Sequence, residues 1–269
     1  MCRRTAASVP KSTPTTTAIA KLVTASSIVI VRRLIPHDVT GWEKNSSSVF
    51  AFAGTLYALV IGFVLAFALQ GHQETSANAG DEANSVRALS RAATLFDAES
   101  RDRIGHELIC YARAVVNEEW PLMADGGRSE LAGAANDRLF QTFGRLGRTN
   151  AGNATLSSSL DRVREPGQAR AARLQASSED LPLIFWLFLI GGGLIICVFS
   201  AIVTGRERSL MQFVYILPVA LLLISSIYLV YAFEQPYSGT NAIEPTSMEI
   251  ALDSVVEFVP DPRANRPCP

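Results

Sequence analysis

Three long stretches of the chain contain no Asp, Glu, Lys, Arg or His: residues 49–69, 182–204 and 210–233. An α-helix rises about 1.5 Å per residue, so each stretch is long enough to cross the roughly 30 Å hydrocarbon core of a bilayer. The pattern predicts a multi-pass, all-α membrane protein with transmembrane helices at 49–71, 182–204 and 210–233. The lipid bilayer is therefore its first expected partner.

A weaker apolar segment lies upstream, at residues 18–31. It is shorter than the roughly 20 residues that a span needs, and extending it would bury Arg32 and Arg33. Each arginine at a helix centre costs about 2.5 to 3.5 kcal/mol on insertion scales. Residues 18–35 therefore form either a thin first transmembrane helix, which would raise the number of spans to four, or an interfacial helix. Residues 1–17 are rich in Thr, Ser and Pro and are predicted to be disordered.

The segment 72–180 is predicted to form a helical extramembrane domain, because apolar residues recur there at three- and four-residue steps. One helix continues the preceding span outward to about Phe96. The next is expected to begin with Ser100 as its N-cap and to end at Pro121. A third follows the glycines at 126–127, and its apolar stripe is Leu131, Ala135, Leu139 and Phe143. A last helix is predicted to be interrupted at 166–167 by Pro-Gly.

The tail, residues 234–269, contains one more amphipathic segment. Met248, Leu252, Val255 and Val259 fall on one face of a helix predicted at 247–259. Because two spans separate the tail from the helical domain, both lie on the same side of the membrane. We expect this helix to dock on the helical domain, and the proline-rich last ten residues to be loose.

The composition supports the membrane class, since 48% of the 269 residues are hydrophobic and only 18% are charged. A net charge of −1 argues against nucleic acid as a partner. The four cysteines show no metal-ligand spacing and are interpreted as packing residues, with neither a zinc site nor a disulfide framework predicted: Cys2, Cys110, Cys197 and Cys268.

No catalytic motif is present, so the sequence favours a protein that is not an enzyme and needs no cofactor. Glu118 and Glu119 precede Trp120, but neighbouring helical residues point about 100° apart, so the two carboxyls are not expected to share a proton. A solvated acidic turn beside a packed tryptophan is the favoured interpretation. His72 and Glu74 are too few ligands for a metal site.

The predicted span at 49–71, the second if residues 18–35 also cross, carries a ridge of small residues at four-residue intervals: Gly54, Ala58, Gly62 and Ala66. Such ridges allow close helix packing in lipid, where van der Waals contact drives association. The ridge faces either another helix of the same chain or a neighbouring subunit of a homo-oligomer. The glycines at 191–193 and Pro218 weaken or bend the later spans, as happens at pores and at packing sites alike.

Four segments together resemble a bacterial family of bestrophin-like membrane proteins, a domain family without a settled activity: VRRLIPHD, GTLYALVIGFVLAFAL, YARAVVNEEWPLM and EQPYSG. The family motif residues are Glu118, Glu119, Trp120 and Pro121 in the third segment, and Pro236, Tyr237, Ser238 and Gly239 in the fourth. The resemblance implies four spans with a helical block between the second and third, as in bestrophin anion channels. Members of the family begin with a stronger first span than this chain has.

Two functions remain open from the sequence. The first is an oligomeric bestrophin-like channel for a small ion in the bacterial inner membrane. Because the spans contain no Asp, Glu, Lys, Arg or His, a passive pore is favoured over an ion-coupled transporter. The second is a membrane-anchored sensor or scaffold whose helical domain binds a ligand or a partner protein.

The distribution of basic residues bears on orientation. Basic residues precede the first strong span and fill the turn between the last two, whereas none occurs at 209–262. The positive-inside rule then places the helical domain and tail outside the cytoplasm. Bestrophins place the corresponding block in the cytosol, so the two arguments conflict, and we favour the charge argument.

Overall fold

The computed structural model describes residues 21–22, 25–26, 29, 43–149, 162–178, 181–204, 208–239, 241–258 and 267–268. The predicted all-α class is confirmed, because every regular element in these residues is a helix. The α-helices are α1 Glu43–Ala93, α2 Ala98–Ala114, α3 Trp120–Met123, α4 Glu130–Thr149, α5 Arg164–Ala176, α6 Leu183–Val203, α7 Ser209–Glu234 and α8 Thr246–Phe258. A π-helical turn, Val115–Glu119, joins α2 to α3.

The chain divides into two compact units. The membrane unit comprises the residues up to Leu69 and Leu181–Glu234, and the helical unit comprises Gln70–Asp180 and the residues from Gln235 onward. Helix α1 contributes its first part to the membrane unit and the remainder to the helical unit.

Three described helices are long and apolar enough to cross a membrane: Ser48–Ala93, Leu183–Val203 and Leu210–Glu234. Mean hydropathy over their most apolar segments is 2.3, 2.5 and 2.4. Large apolar side chains on them are exposed, such as Phe52 at 67% and Leu222 at 70%, as expected for surfaces that contact lipid. The predictions for 1–17 and 18–35 fall outside the described residues, apart from a few helical positions between 21 and 29.

The membrane unit packs around Tyr57 of α1. Its hydroxyl donates a hydrogen bond to the carbonyl oxygen of Leu189 on α6, and its ring lies against Gly192 and Gly193. A Cβ at Gly193 would lie 3.0 Å from the Tyr57 hydroxyl, and one at Gly192 would overlap the ring, whereas one at Gly191 would meet no described atom within 4 Å. Part of the glycine run is therefore a packing site for an aromatic ring.

The helical unit has one apolar core, to which α1, α2, α4 and α8 all contribute. The predicted N-cap at Ser100 is wrong. Helix α2 begins at Ala98, and its N-cap is Asp97. The Asp97 carboxylate accepts a hydrogen bond of 3.0 Å from the Ser100 amide. The short side chain of Asp97 satisfies an amide that the helix itself leaves unpaired.

Two proline predictions are also wrong. Pro121 does not end the helix, because it occupies the first turn of α3, where its missing N–H is tolerated. The predicted interruption is displaced: Pro166 and Gly167 lie within the first turn of α5, and the break comes before this helix, at Val163, while residues 150–161 of the predicted upstream helix fall outside the described residues. In α4, Ala135, Leu139 and Phe143 are fully buried as predicted, whereas Leu131 is 55% exposed.

The tail helix α8 buries Met248, Ala251 and Val255 in the same core as α2. Beyond it, Cys268 forms a disulfide with Cys110 of α2, with the two Cα atoms 5.4 Å apart. The interpretation of these two cysteines as packing residues is therefore wrong, as is the expectation that the chain end is loose at Cys268. The two positions are 158 residues apart in sequence, so their spacing carried no signal. Cys197 is buried and unpaired in the membrane unit.

Candidate functional site: a buried ionic cluster

Four charged side chains meet inside the helical unit: Glu82, Glu119, Arg170 and Arg173. Glu82 lies on the apolar face of α1, one helical turn from Ala79 and from Val86, so helix geometry alone carries its carboxylate into the core. Arg170 and Arg173 are three residues apart on α5 and so share a face. The side chains of Glu82, Glu119 and Arg173 are 0% exposed and that of Arg170 is 16% exposed.

Arg173 bridges the two carboxylates. Its Nε donates to Glu82 Oε2 at 2.5 Å, and its Nη2 donates to Glu119 Oε2 at 2.5 Å. Tyr111 of α2 donates a hydrogen bond of 2.7 Å to Glu82 Oε1. The planar guanidinium, with its fixed fork of donors, suits this arrangement better than a lysine would.

Glu119 is positioned by the π-helical turn, whose extra residue directs its side chain toward α5. It accepts hydrogen bonds from Arg170 Nε at 3.1 Å and Nη2 at 2.5 Å, and from the amide of Ser129 at 3.2 Å. Arg170 also donates to the Ser129 carbonyl oxygen at 3.1 Å. Two positive and two negative charges therefore compensate each other, with three of the four side chains fully buried.

The electrostatics favour the ionised forms of Glu119, Arg170 and Arg173. Burial acts to raise the pKa of Glu119, but the hydrogen bond from Arg170 and the charges of Arg173 and Arg170 outweigh it and lower the pKa. Burial acts to lower the pKa of Arg173, yet the charge of Glu82 raises it further above its usual value. Burial and the charge of Glu82 raise the pKa of Tyr111 well above 10.0. None of these groups is poised to exchange a proton near neutral pH, so the cluster holds charge in place.

The two family motifs meet beside this cluster. The Trp120 and Tyr237 rings form an edge contact with centroids 5.5 Å apart, and the Arg173 guanidinium lies 5.0 Å from the centroid of the Trp120 ring. Trp120 Nε1 also donates to the carbonyl oxygen of Ile243 at 2.8 Å. Burial raises the pKa of Tyr237 to about 12, although the charge of Arg173 acts in the opposite direction. The tail is thereby fixed to the segment that supplies Glu119.

The remaining motif residues shape these two segments. Glu118 and Pro121 are exposed, so the expected solvated acidic turn holds for Glu118 and is wrong for Glu119, which is fully buried. In the tail, the carbonyl oxygen of Pro236 accepts a hydrogen bond of 2.7 Å from the Ile243 amide. The Ser238 hydroxyl donates a hydrogen bond of 2.8 Å to Oε1 of the Gln235 side chain. Gly239 has φ of +81°, a conformation that a glycine adopts without strain.

The ridge in α1 lies outside the buried face of the membrane unit. The buried face is formed by Tyr57, Ile61, Val64 and Ala68. Ala58, Gly62 and Ala66 are exposed and Gly54 is half-buried, and a Cβ added at either glycine would meet no described atom within 4 Å. Among the described residues, the ridge therefore lies on the exposed side of α1.

Sequence reasoning missed Glu82, Tyr111, Arg170 and Arg173. A signal for Glu82 existed, because a carboxylate stood inside the apolar stripe of Ala79, Val86 and Leu89. No local signal identified Arg173 as its partner, since the two are 91 residues apart. In the described part of the chain, no group of three or more His, Cys, Asp or Glu side chains is arranged to hold a metal ion.

A polar cleft of about 610 Å³ lies elsewhere in the helical unit, between α2 and α4. Its lining carries both signs of charge: Ala98, Glu99, Asp102, Arg103, His106, Glu107, Thr142 and Arg145.

Comparison with known proteins places the fold. A family profile described as a bestrophin-like domain matches residues 18–248. No curated protein matches the sequence. A crystal structure of a membrane protein aligns with a TM-score of 0.72 at 13% identity, over 91% of this chain and 98% of that one. A bacterial bestrophin homologue from Klebsiella pneumoniae aligns with a TM-score of 0.70 at 12% identity and the same coverage. At such low identity the structural likeness shows the fold alone.

Proposed function

Because the chain belongs to the bestrophin-like family, we propose that it is one subunit of an oligomeric membrane channel that conducts a small ion passively. The observation that carries the proposal is the exposed ridge in α1, where small residues offer a smooth surface on a helix that crosses the bilayer. In lipid, apolar burial between helices gains little, and close backbone approach is what drives their association. A second copy of the chain is the proposed partner of this surface.

The test compares two small-to-large substitutions on α1. Gly62→Leu places a bulky side chain on the ridge, and overpacking of this kind costs about 1 to 3 kcal/mol. Ala53→Leu is the matched control, since Ala53 is also exposed but lies about 180° around the helix from Gly62. We expect cross-linking in detergent to show an oligomer for the unmodified protein and for Ala53→Leu, and a shift toward monomer for Gly62→Leu. A monomeric unmodified protein would refute the proposal.

Conduction is tested separately in liposomes of phosphatidylethanolamine and phosphatidylglycerol. Purified protein should release chloride or potassium down its gradient, and Gly62→Leu should reduce the rate in proportion to lost assembly. Oligomers that pass neither ion would remove the channel function while leaving the subunit contact intact.

The helical unit is proposed to face the extracytoplasmic side of a bacterial inner membrane, because basic residues are absent from 209–262 and present near the opposite ends of the spans. Ala134 is exposed on α4 and suits a labelling test. In a variant without native cysteines, Ala134→Cys should react with a membrane-impermeant maleimide in intact cells. Reaction only after lysis would reverse the orientation.

The polar cleft between α2 and α4 favours the second candidate function, a sensor that binds a small polar ligand. Its mixed charges fit a zwitterion such as an amino acid. A thermal-shift screen of the purified protein with free amino acids tests this idea. Stabilisation that Arg145→Ala abolishes would support it, and no shift at millimolar ligand would exclude the class.

A further inference from the structure

The disulfide joins two cysteines with different surroundings. Cys110 lies on α2 and is 2% exposed. Cys268 lies near the end of the chain and is exposed. Helix α8 and Cys268 therefore attach the tail to the helical unit at two points, one apolar and one covalent.

His106 adds a chemical asymmetry to this pair. Its Nε2 lies 3.7 Å from the sulfur of Cys110, one helical turn earlier on α2. A ring N–H at this position can donate a hydrogen bond to a thiolate that forms on Cys110, and a stabilised thiolate is the better leaving group in thiol–disulfide exchange. The exposure of Cys268 and the stabilisation of a thiolate on Cys110 thus both favour attack by an incoming thiolate on the sulfur of Cys268.

We propose that the Cys110–Cys268 bond is a reducible strap, attacked at Cys268 with Cys110 leaving beside His106. An incoming thiolate of a dithiol reductant bonds to the sulfur of Cys268 and breaks the Cys268–Cys110 bond, so that the bonding pair leaves on Cys110. The second thiol of the reductant then displaces Cys268, and the reductant ends as its own disulfide. The two protons released from the reductant's thiols are taken up by the Cys110 and Cys268 thiolates. Oxidation by a protein disulfide runs through the reverse steps.

The same tail also contacts Trp120 beside the ionic cluster. The tail segment before α8 supplies Tyr237, which contacts Trp120, and Ile243, whose carbonyl accepts the Trp120 hydrogen bond. After reduction, the tail is held by the apolar contacts of α8 and by the contacts of Tyr237 and Ile243 with Trp120. The inference rests on the proposed extracytoplasmic orientation, because disulfides persist in oxidising compartments and are reduced in the cytosol.

The first experiment counts thiols in the full chain with Cys2→Ser and Cys197→Ser, which leaves only the pair. Cells are quenched in acid, and the denatured, unreduced protein is treated with a polyethylene glycol maleimide. We expect no modification before dithiothreitol and two additions after it, with one addition in the Cys268→Ser control. Two additions without reductant would overturn the strap. If Ala134→Cys is labelled from outside while the pair is free, the strap fails and the orientation stands.

The second experiment locates the attack. Brief treatment of the purified oxidised protein with limiting glutathione, followed by alkylation and peptide mass spectrometry, should place glutathione on Cys268 and the alkyl group on Cys110. The reverse assignment would overturn the proposed direction. His106→Gln should slow the first reduction step several-fold near neutral pH, whereas Arg103→Gln, exposed and three residues earlier on α2, should not. Equal rates in both variants would remove His106 from the proposal.

Discussion

Glu119→Gln tests whether the buried cluster holds the helical unit together. The substitution keeps the size and shape of the side chain but removes one of the two negative charges that face Arg170 and Arg173. It also turns an amide N–H₂ toward arginine donors, which cannot accept a hydrogen bond. Because the Glu119 side chain is 0% exposed, water cannot replace what is lost.

The expected cost follows from the contacts. Glu119 accepts charge-assisted hydrogen bonds from two arginines, each worth about 1.5 to 3 kcal/mol, and breaking a buried ion pair typically costs about 3 to 5 kcal/mol. The lower end applies here, because Arg173 keeps Glu82 and Arg170 is 16% exposed. We therefore expect the free energy of unfolding of the helical unit to fall by about 3 kcal/mol, a large share of the roughly 5 to 15 kcal/mol of a typical domain.

The assay is urea unfolding in detergent, followed by tryptophan fluorescence. With Trp42→Phe and Trp186→Phe in the background, Trp120 is the single reporter, and it lies beside the cluster. For an m-value of about 1 to 3 kcal/mol/M, a loss of about 3 kcal/mol lowers the midpoint by about 1 to 3 M urea. Glu99→Gln is the control, since Glu99 pairs with Arg103 on the exposed surface and should leave the midpoint unchanged. Equal midpoints for Glu119→Gln and Glu99→Gln would refute the role assigned to the cluster.

Four further predictions follow, each from one residue. The pKa of Glu119 is lowered in the folded unit, so its contribution to the free energy of unfolding should be present above the usual value of 4.5 and lost as pH falls further. The pKa of Tyr237 is raised to about 12, so its contribution should be present below pH 10 and lost toward pH 12. Urea midpoints that stay constant across both pH ranges would contradict these two predictions. Gly192→Ala should lower the melting temperature in detergent by overpacking against an aromatic ring, while Gly191→Ala should not, and equal melting temperatures would contradict that packing. Gly239→Ala should destabilise the tail turn more than Gly239→Asn, because asparagine tolerates positive φ; thermal unfolding in which Asn is the worse replacement would disprove this.

The all-α class could be predicted because the apolar spans are long and uninterrupted. Inside lipid, a single segment can pair all its backbone N–H and C=O groups only as a helix. The apolar stripes of the helical unit could also be predicted, because helical periodicity places Leu139 and Phe143 on one buried face. Helix ends were less readable. Ser100 is as good a cap as Asp97 by residue type, and only the three-dimensional turn decides which of the two accepts the amide.

The site could not be predicted as a site, because its members are distant in sequence. The two motifs were recognised separately, but nothing in the chain shows that Trp120 contacts Tyr237 or that Glu119 lies beside Arg173. A π-helical turn has no reliable sequence signature, and this one decides that Glu119 faces inward while Glu118 faces solvent. The disulfide was missed for a related reason, since spacing indicates pairing only in short, cysteine-rich chains.

The ionic cluster fixes the register between helices, which the alanine-rich remainder of the core of the helical unit does little to determine. Much of that core is alanine, including Ala79, Ala83, Ala93, Ala112, Ala132, Ala135 and Ala251. Alanine faces let helices approach closely, but they have few protrusions that distinguish one register from the next. The guanidinium fork of Arg173 meets Glu82 and Glu119 together only when α1, α5 and the π-helical turn stand in one register, and any slip by a helical turn leaves a buried charge unpaired at a cost of several kcal/mol. We infer that the cluster contributes mainly to the uniqueness of the fold of the helical unit, and that the same contacts, through Trp120, determine where the tail rests.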